Sequence, residues 1–132
     1  LGQIAEAERD LRDALDIYAH SLPPEHPYVA SALTGLARAQ LDRGADLDRV
    51  EPALRKALGI AEKSFAADSP TLAAAQSALG RLLLSSGRAA EAEPLLRASY
   101  PALVRTQGES AAITRQTRAA LDGLQKRIAD SR

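Results

Sequence analysis

The chain is expected to be all-α: a right-handed helical-repeat solenoid of about six antiparallel helices, closed by a polar C-terminal one. Three observations predict it. Apolar residues make up 45% of the 132 residues but aromatics only 3%, so a core must be built from alanine and leucine, which favour helix over strand. Apolar side chains recur in steps of three and four along each long segment. Those stripes themselves repeat, with Leu36 and Leu79 43 positions apart, Leu79 and Leu121 42 apart, and Gly2 and Gly44 42 apart. Periods of this size mark stacked helical hairpins.

The first helix, within residues 1–22, carries Ile4, Ala7, Leu11, Ala14, Leu15, Tyr18 and Leu22 on one stripe, with charges between. Pro23-Pro24 ends it, because proline lacks the backbone donor and restricts its predecessor. His26-Pro27 opens the second helix, whose stripe is Val29, Ala32, Leu33, Leu36, Ala37 and Gln40, stopping at Gly44. A third starts near residue 48 with Val50, Leu54, Ala57, Leu58, Ala61 and Phe65 on one face, and Pro52 early enough to cost little. Ser69-Pro70 opens the fourth, where the serine hydroxyl can take an orphan N–H; Leu72, Ala75, Leu79, Leu82 and Leu83 follow before a turn at Ser86-Gly87. The fifth has Ala92, Leu95, Leu96, Tyr100 and Leu103, a kink expected at Pro101, and a stop at Gln107-Gly108.

The sixth helix, about 111–128, carries Ile113, Leu121, Leu124 and Ile128 but is otherwise polar, with Arg118, Asp122 and Gln125 at repeat positions. That fits an element closing an array. One domain over 1–132 is therefore expected: the second helix of a truncated repeat (1–22), two repeats (27–65 and 70–107) and a capping helix (111–128). The chain begins at Leu1 and holds no methionine, so a piece of a longer chain or a processed product is expected; the half-missing first hairpin and the polar last helix predict the C-terminal end of a longer array.

The repeated residues carry a resemblance. Gln76, Leu79-Gly80, Leu83, Ala92 and Leu96 follow the tetratricopeptide order of a large residue, Leu-Gly, a second large residue, then Ala and a bulky residue four on. The upstream copy reads Leu33, Leu36-Ala37, Gln40, Val50, Leu54 and Ala57. With the long period, Pro24-Glu25-His26-Pro27-Tyr28-Val29-Ala30 and the stretch from Gly87 to Arg97, the chain resembles the kinesin light chain class of tetratricopeptide repeats. It is also similar to the C-terminal tails of bacterial serine/threonine kinases and related multidomain regulators. The resemblance implies a protein-interaction scaffold that binds a partner peptide or domain through its concave face. The class usually shows an asparagine pair on the first helix of a hairpin; here those positions are Thr34-Gly35 and Ser77-Ala78.

Composition excludes other classes. Seventeen basic and seventeen acidic residues give a formal net charge of zero, which leaves no field for nucleic acid or an anionic membrane. No apolar run approaches the roughly 18 residues of a membrane span. Cysteine is absent, which fits a reducing, cytoplasmic setting, and the alanine- and arginine-rich composition hints at a bacterial source. No nucleophile elbow, phosphate-cradling loop or metal-binding pair is present, so neither an enzyme nor a cofactor is expected. His20, Glu25 and His26 flank the Pro-Pro break without a further ligand, and His26 is read as a helix cap.

In such a fold the first helix of each hairpin lines the concave surface. Partner-binding candidates there are Thr34, Arg38, Asp42, Ser77, Arg81, Ser85, Lys126 and Arg127. Arg38 and Arg81 occupy the same position in successive repeats and could form a cationic step for a carboxylate, unless each is simply solvated or paired with Asp42. The alternative function is structural self-association, a homodimer formed through the stripe Ile4, Leu11, Leu15 and Tyr18.

Overall fold

The computed structural model describes residues 2–130; Leu1, which the sequence places in the first helix, and residues 131–132 lie outside the described residues. Six helices follow in order: α1 (Gly2–Ser21), α2 (Pro27–Asp42), α3 (Leu47–Ser64), α4 (Pro70–Ser85), α5 (Ala89–Gln107) and α6 (Ala112–Asp130). Their ends have identifiable chemistry. His26 Nδ1 accepts the Tyr28 N–H at 3.1 Å, Ser69 Oγ accepts that of Thr71 at 3.2 Å, and Asp46 Oδ1 accepts that of Asp48 at 3.0 Å. The Asp46 cap is why α3 starts at Leu47 rather than a residue later. The turns after α2 and α4 use Gly44 and Gly87, 43 positions apart, both at positive φ (77° and 79°).

α5 runs unbroken through Pro94 and Pro101. Both prolines lie on its exposed side seven residues apart, where a carbonyl that loses its donor can turn to water. Pro101 thus removes a hydrogen bond without ending the helix.

The helices form two rows. α2, α4 and α6 pack on one another as an inner row; α1, α3 and α5 each pack on inner helices rather than on each other. The inner row closes up because its contacting side chains are small: Thr34, Ala37, Ala75, Ser77, Ala78 and Thr117 are all buried. The outer row stays spread, so the inner face is concave. The largest apolar cluster lies between the rows, around Val50, Leu54, Leu79, Leu82, Leu83 and Leu96. Leu36, Leu79 and Leu121 hold the same register on successive inner helices; Leu79, with neighbours on both sides, is fully buried, and the other two are half-buried.

A second periodic feature accompanies the apolar one. Glu8–Arg12 (3.3 Å), Glu51–Arg55 (2.9 Å) and Glu93–Arg97 (3.4 Å) are i,i+4 pairs on the three outer helices, 43 and 42 residues apart. The first two glutamates also hold an arginine from the turn after the next inner helix: Glu8 binds Arg43, and Glu51 accepts from Arg88 at 2.8 Å. Arg88 in turn forks onto Glu91, at 2.6 and 3.1 Å. Burial raises the Glu51 carboxyl, but hydrogen bonds from Arg55 and Arg88 outweigh it and hold the pKa below the ordinary value. The Arg43 hydrogen bond does the same for Glu8, and Arg88 for Glu91.

Candidate functional site

The inner helices bring part of the expected concave set together. Arg38 sits half-buried in a notch of about 240 Å³, bounded by Ser31, Thr34 and Gly35 of α2, Pro70, Thr71 and Ala74 of α4, and Gln107. Two buried polar atoms in this notch have no hydrogen-bond partner, Thr34 Oγ1 and Arg38 Nε. Such groups are uncommon in folded chains and call for an explanation. Burial lowers the Arg38 pKa, Asp42 opposes this, and nearby Arg81 adds to it; a guanidinium nonetheless keeps its charge at neutral pH.

The internal repeat explains why these two atoms find no partner within the chain. One hairpin later, Ser77 replaces Thr34 and Arg81 replaces Arg38, and both are satisfied by α6. Ser77 Oγ lies 2.5 Å from Thr117 Oγ1, and Arg81 donates to Gln116 Oε1 at 3.2 Å. Arg81 also reaches Asp42 at 3.4 Å. Forty-two residues before Gln116-Thr117, on α4, stand Ala74-Ala75. Methyl groups offer no acceptor, so Thr34 and Arg38 are left without the partners that their counterparts have.

Several expectations change accordingly. Ser77 is fully buried and bonded, and therefore does not line an open surface. Thr34 borders the notch but is only 3% exposed. The cationic step of two equal arginines is not formed, since Arg81 is tied to Asp42 and Gln116 while Arg38 makes no hydrogen bond or ion pair among the described residues. Ser85 is exposed and shares a separate pocket with Leu41, Leu47 and Arg81. Lys126 is exposed at the far end; Arg127 donates to the Leu84 carbonyl at 3.0 Å and so completes the C-terminus of α4.

The α1 stripe is less open than expected. Ile4, Leu11, Leu15 and Tyr18 are all half-buried; Leu15 and Tyr18 pack against the cluster of Val29, Ala30 and Ile60. Leu11 nonetheless stays partly exposed where its counterparts Leu54 and Leu96 are fully buried. Among the described residues the large apolar side chains in the open are Ile17, Tyr28 and Ile128. Among the described residues no cluster of metal-ligating side chains occurs, and no helix is long and apolar enough to cross a membrane.

Comparison with known proteins agrees with this architecture. Residues 1–63 match the family model described as tetratricopeptide repeat. The crystal structure of the kinesin light chain nearly identical TPR-like repeats of Podosopora anserina is 25% identical, with a TM-score of 0.72 over 93% of this chain and 58% of that one. A single-residue variant of the same protein matches equally well, over 57% of its length. The chain thus spans less than two thirds of the length of these two structures. No curated protein matches it. The likeness to tetratricopeptide repeats therefore holds in sequence over residues 1–63, and the fold is similar to kinesin light chain TPR-like repeats over nearly the whole chain. Tetratricopeptide repeats generally mediate protein–protein interaction, as scaffolds rather than catalysts.

Proposed function

We propose that this chain is a peptide-binding scaffold within a larger regulatory protein, and that it recognises a partner's carboxylate through Arg38 on the concave face. The observation that carries this reading is the notch itself. A half-buried guanidinium and a buried hydroxyl lie side by side without partners, in the repeat where Ala74-Ala75 replaces the pair that satisfies their counterparts. An acidic side chain or C-terminal carboxylate matches the half-buried guanidinium. A charge-assisted hydrogen bond contributes about 1.5–3 kcal/mol, against roughly 8 kcal/mol for micromolar binding. The remainder comes from contacts along the groove, so a bound peptide lies extended over α2 and α4. Cytoplasmic placement belongs to the same reading.

Selection of peptides from a random display library on the intact chain tests it. Selected sequences should share an acidic residue or a free C-terminus, and Arg38→Gln should weaken them about ten- to a hundredfold. Ala74→Gln should do likewise by giving Arg38 an internal partner, whereas Arg81→Gln should matter less. Peptides indifferent to both Arg38→Gln and Ala74→Gln would sink the proposal. A second reading, self-association through α1, draws on the partial exposure of Leu11 where Leu54 and Leu96 are buried. Sedimentation of the same samples distinguishes it, since a monomer at high concentration rules it out.

A further inference from the structure

The geometry points to a second binding site, on the opposite side of α2 from the notch: an apolar cavity that takes a small single-chain carboxylate. The cavity measures about 330 Å³ and lies in the wedge where the outer helices α1 and α3 diverge. Val29 and Leu33 of α2 form its floor, Leu15, Tyr18 and Leu22 its wall, and Pro23-Pro24 close one end. Val29 and Leu33 are four residues apart and share one side of α2; Thr34 and Arg38 share the other, about half a turn round. The two sites are therefore independent, and this one does not rest on peptide binding at the notch.

Its volume falls at the lower edge of small-molecule pockets, about 300–1,000 Å³. The one formal charge on its lining is Lys56 of α3, which makes no hydrogen bond or ion pair among the described residues. Two turns further along the same stripe, Lys63 is met by Glu25 at 3.2 Å. The chain thus answers one α3 ammonium with its own carboxylate and leaves the other, on an exposed lysine at the edge of an apolar hollow, without one. Gly59 lies between them on that stripe; a Cβ there would meet nothing within 4 Å, so no internal contact requires glycine. A ligand with an alkyl body and an anionic head satisfies both the lining and the lysine. A peptide does not, because apart from Lys56 and the Tyr18 hydroxyl the lining offers no side-chain partner for backbone amides.

Methyl-detected NMR titration of the chain with sodium butanoate, hexanoate and octanoate tests the assignment. The methyls of Leu15, Leu22, Val29 and Leu33 should shift together and saturate, each added methylene tightening binding about fourfold. Lys56→Gln should weaken octanoate about two- to fivefold and leave 1-octanol unchanged. Ala19→Leu, at an exposed position that lines the cavity, should weaken both ligands without altering thermal unfolding. Binding that ignores chain length overturns the proposal. So does Lys56→Gln acting equally on acid and alcohol, or shifts confined to the notch.

Discussion

Glycine stands in the middle of a helix at both Gly59 and Gly80, and the same change to alanine should move stability in opposite directions. Replacing a helix-interior glycine gains about 0.8–1.0 kcal/mol from propensity alone. At Gly59 a new Cβ meets nothing within 4 Å, so Gly59→Ala should keep that gain. At Gly80 the Cβ would lie 2.8 Å from both Cγ and Cδ2 of Leu96, which is fully buried and enclosed by the core. Overpacking of this kind costs about 1–3 kcal/mol, so Gly80→Ala should end about 0–2 kcal/mol less stable than the parent. Ala37, 43 positions earlier, shares the core cluster with Leu54, so the equivalent position of the previous hairpin already holds a Cβ. Urea unfolding followed by far-ultraviolet circular dichroism gives both values on one scale. A Gly80→Ala variant as stabilised as Gly59→Ala would show that contact with Leu96 is not what holds glycine there. In a Leu96→Ala background the penalty at Gly80 should disappear, whatever the cavity costs by itself.

Two further outcomes follow from polar groups. The folded pKa of Glu51 lies below its ordinary value of 4.5, so its contribution is complete above that value and is lost as pH falls through the lower, folded one. Glu51→Gln should therefore destabilise the chain at neutral pH and flatten its acid limb below about pH 4.5, seen in melting temperature against pH; an unchanged acid limb would mean that the arginines contribute nothing through this carboxylate. In the α4–α6 contact, Thr117 donates to the Ile113 carbonyl at 2.7 Å, which leaves Ser77 as donor to Thr117. Thr117→Val should cost about 1–3 kcal/mol by stranding the Ser77 hydroxyl, and adding Ser77→Ala should recover much of it; additive losses in that double-mutant cycle would refute the pairing.

The helices were legible because their signals are local. Cap, proline and glycine occur within a few residues of each boundary, and the apolar stripe has its own period. What lay hidden depends on residues about 40 positions away. Arg38 and Arg81 are identical in type and register, but Arg81 is bonded by Gln116 on the next inner helix and by Asp42 on the previous one, whereas Ala74 offers Arg38 nothing. Ser77 looks like a surface serine until Thr117 closes over it. The Glu8, Glu51 and Glu93 series was written in the sequence at the same period as the leucines; aligning apolar positions alone passed over it. The cavity beside Lys56 has no linear signature, because it arises from how far two outer helices diverge.

The charged clasps between rows also have a direction. Glu8 and Glu51 each reach forward along the chain, to an arginine that follows the next inner helix. When the polypeptide emerges from its N-terminal side, a hairpin can be fastened only after roughly one more repeat has been made. Among the described residues Glu93 holds Arg97, from its own helix. Assembly would thus run like a ratchet whose teeth engage one step behind the growing end.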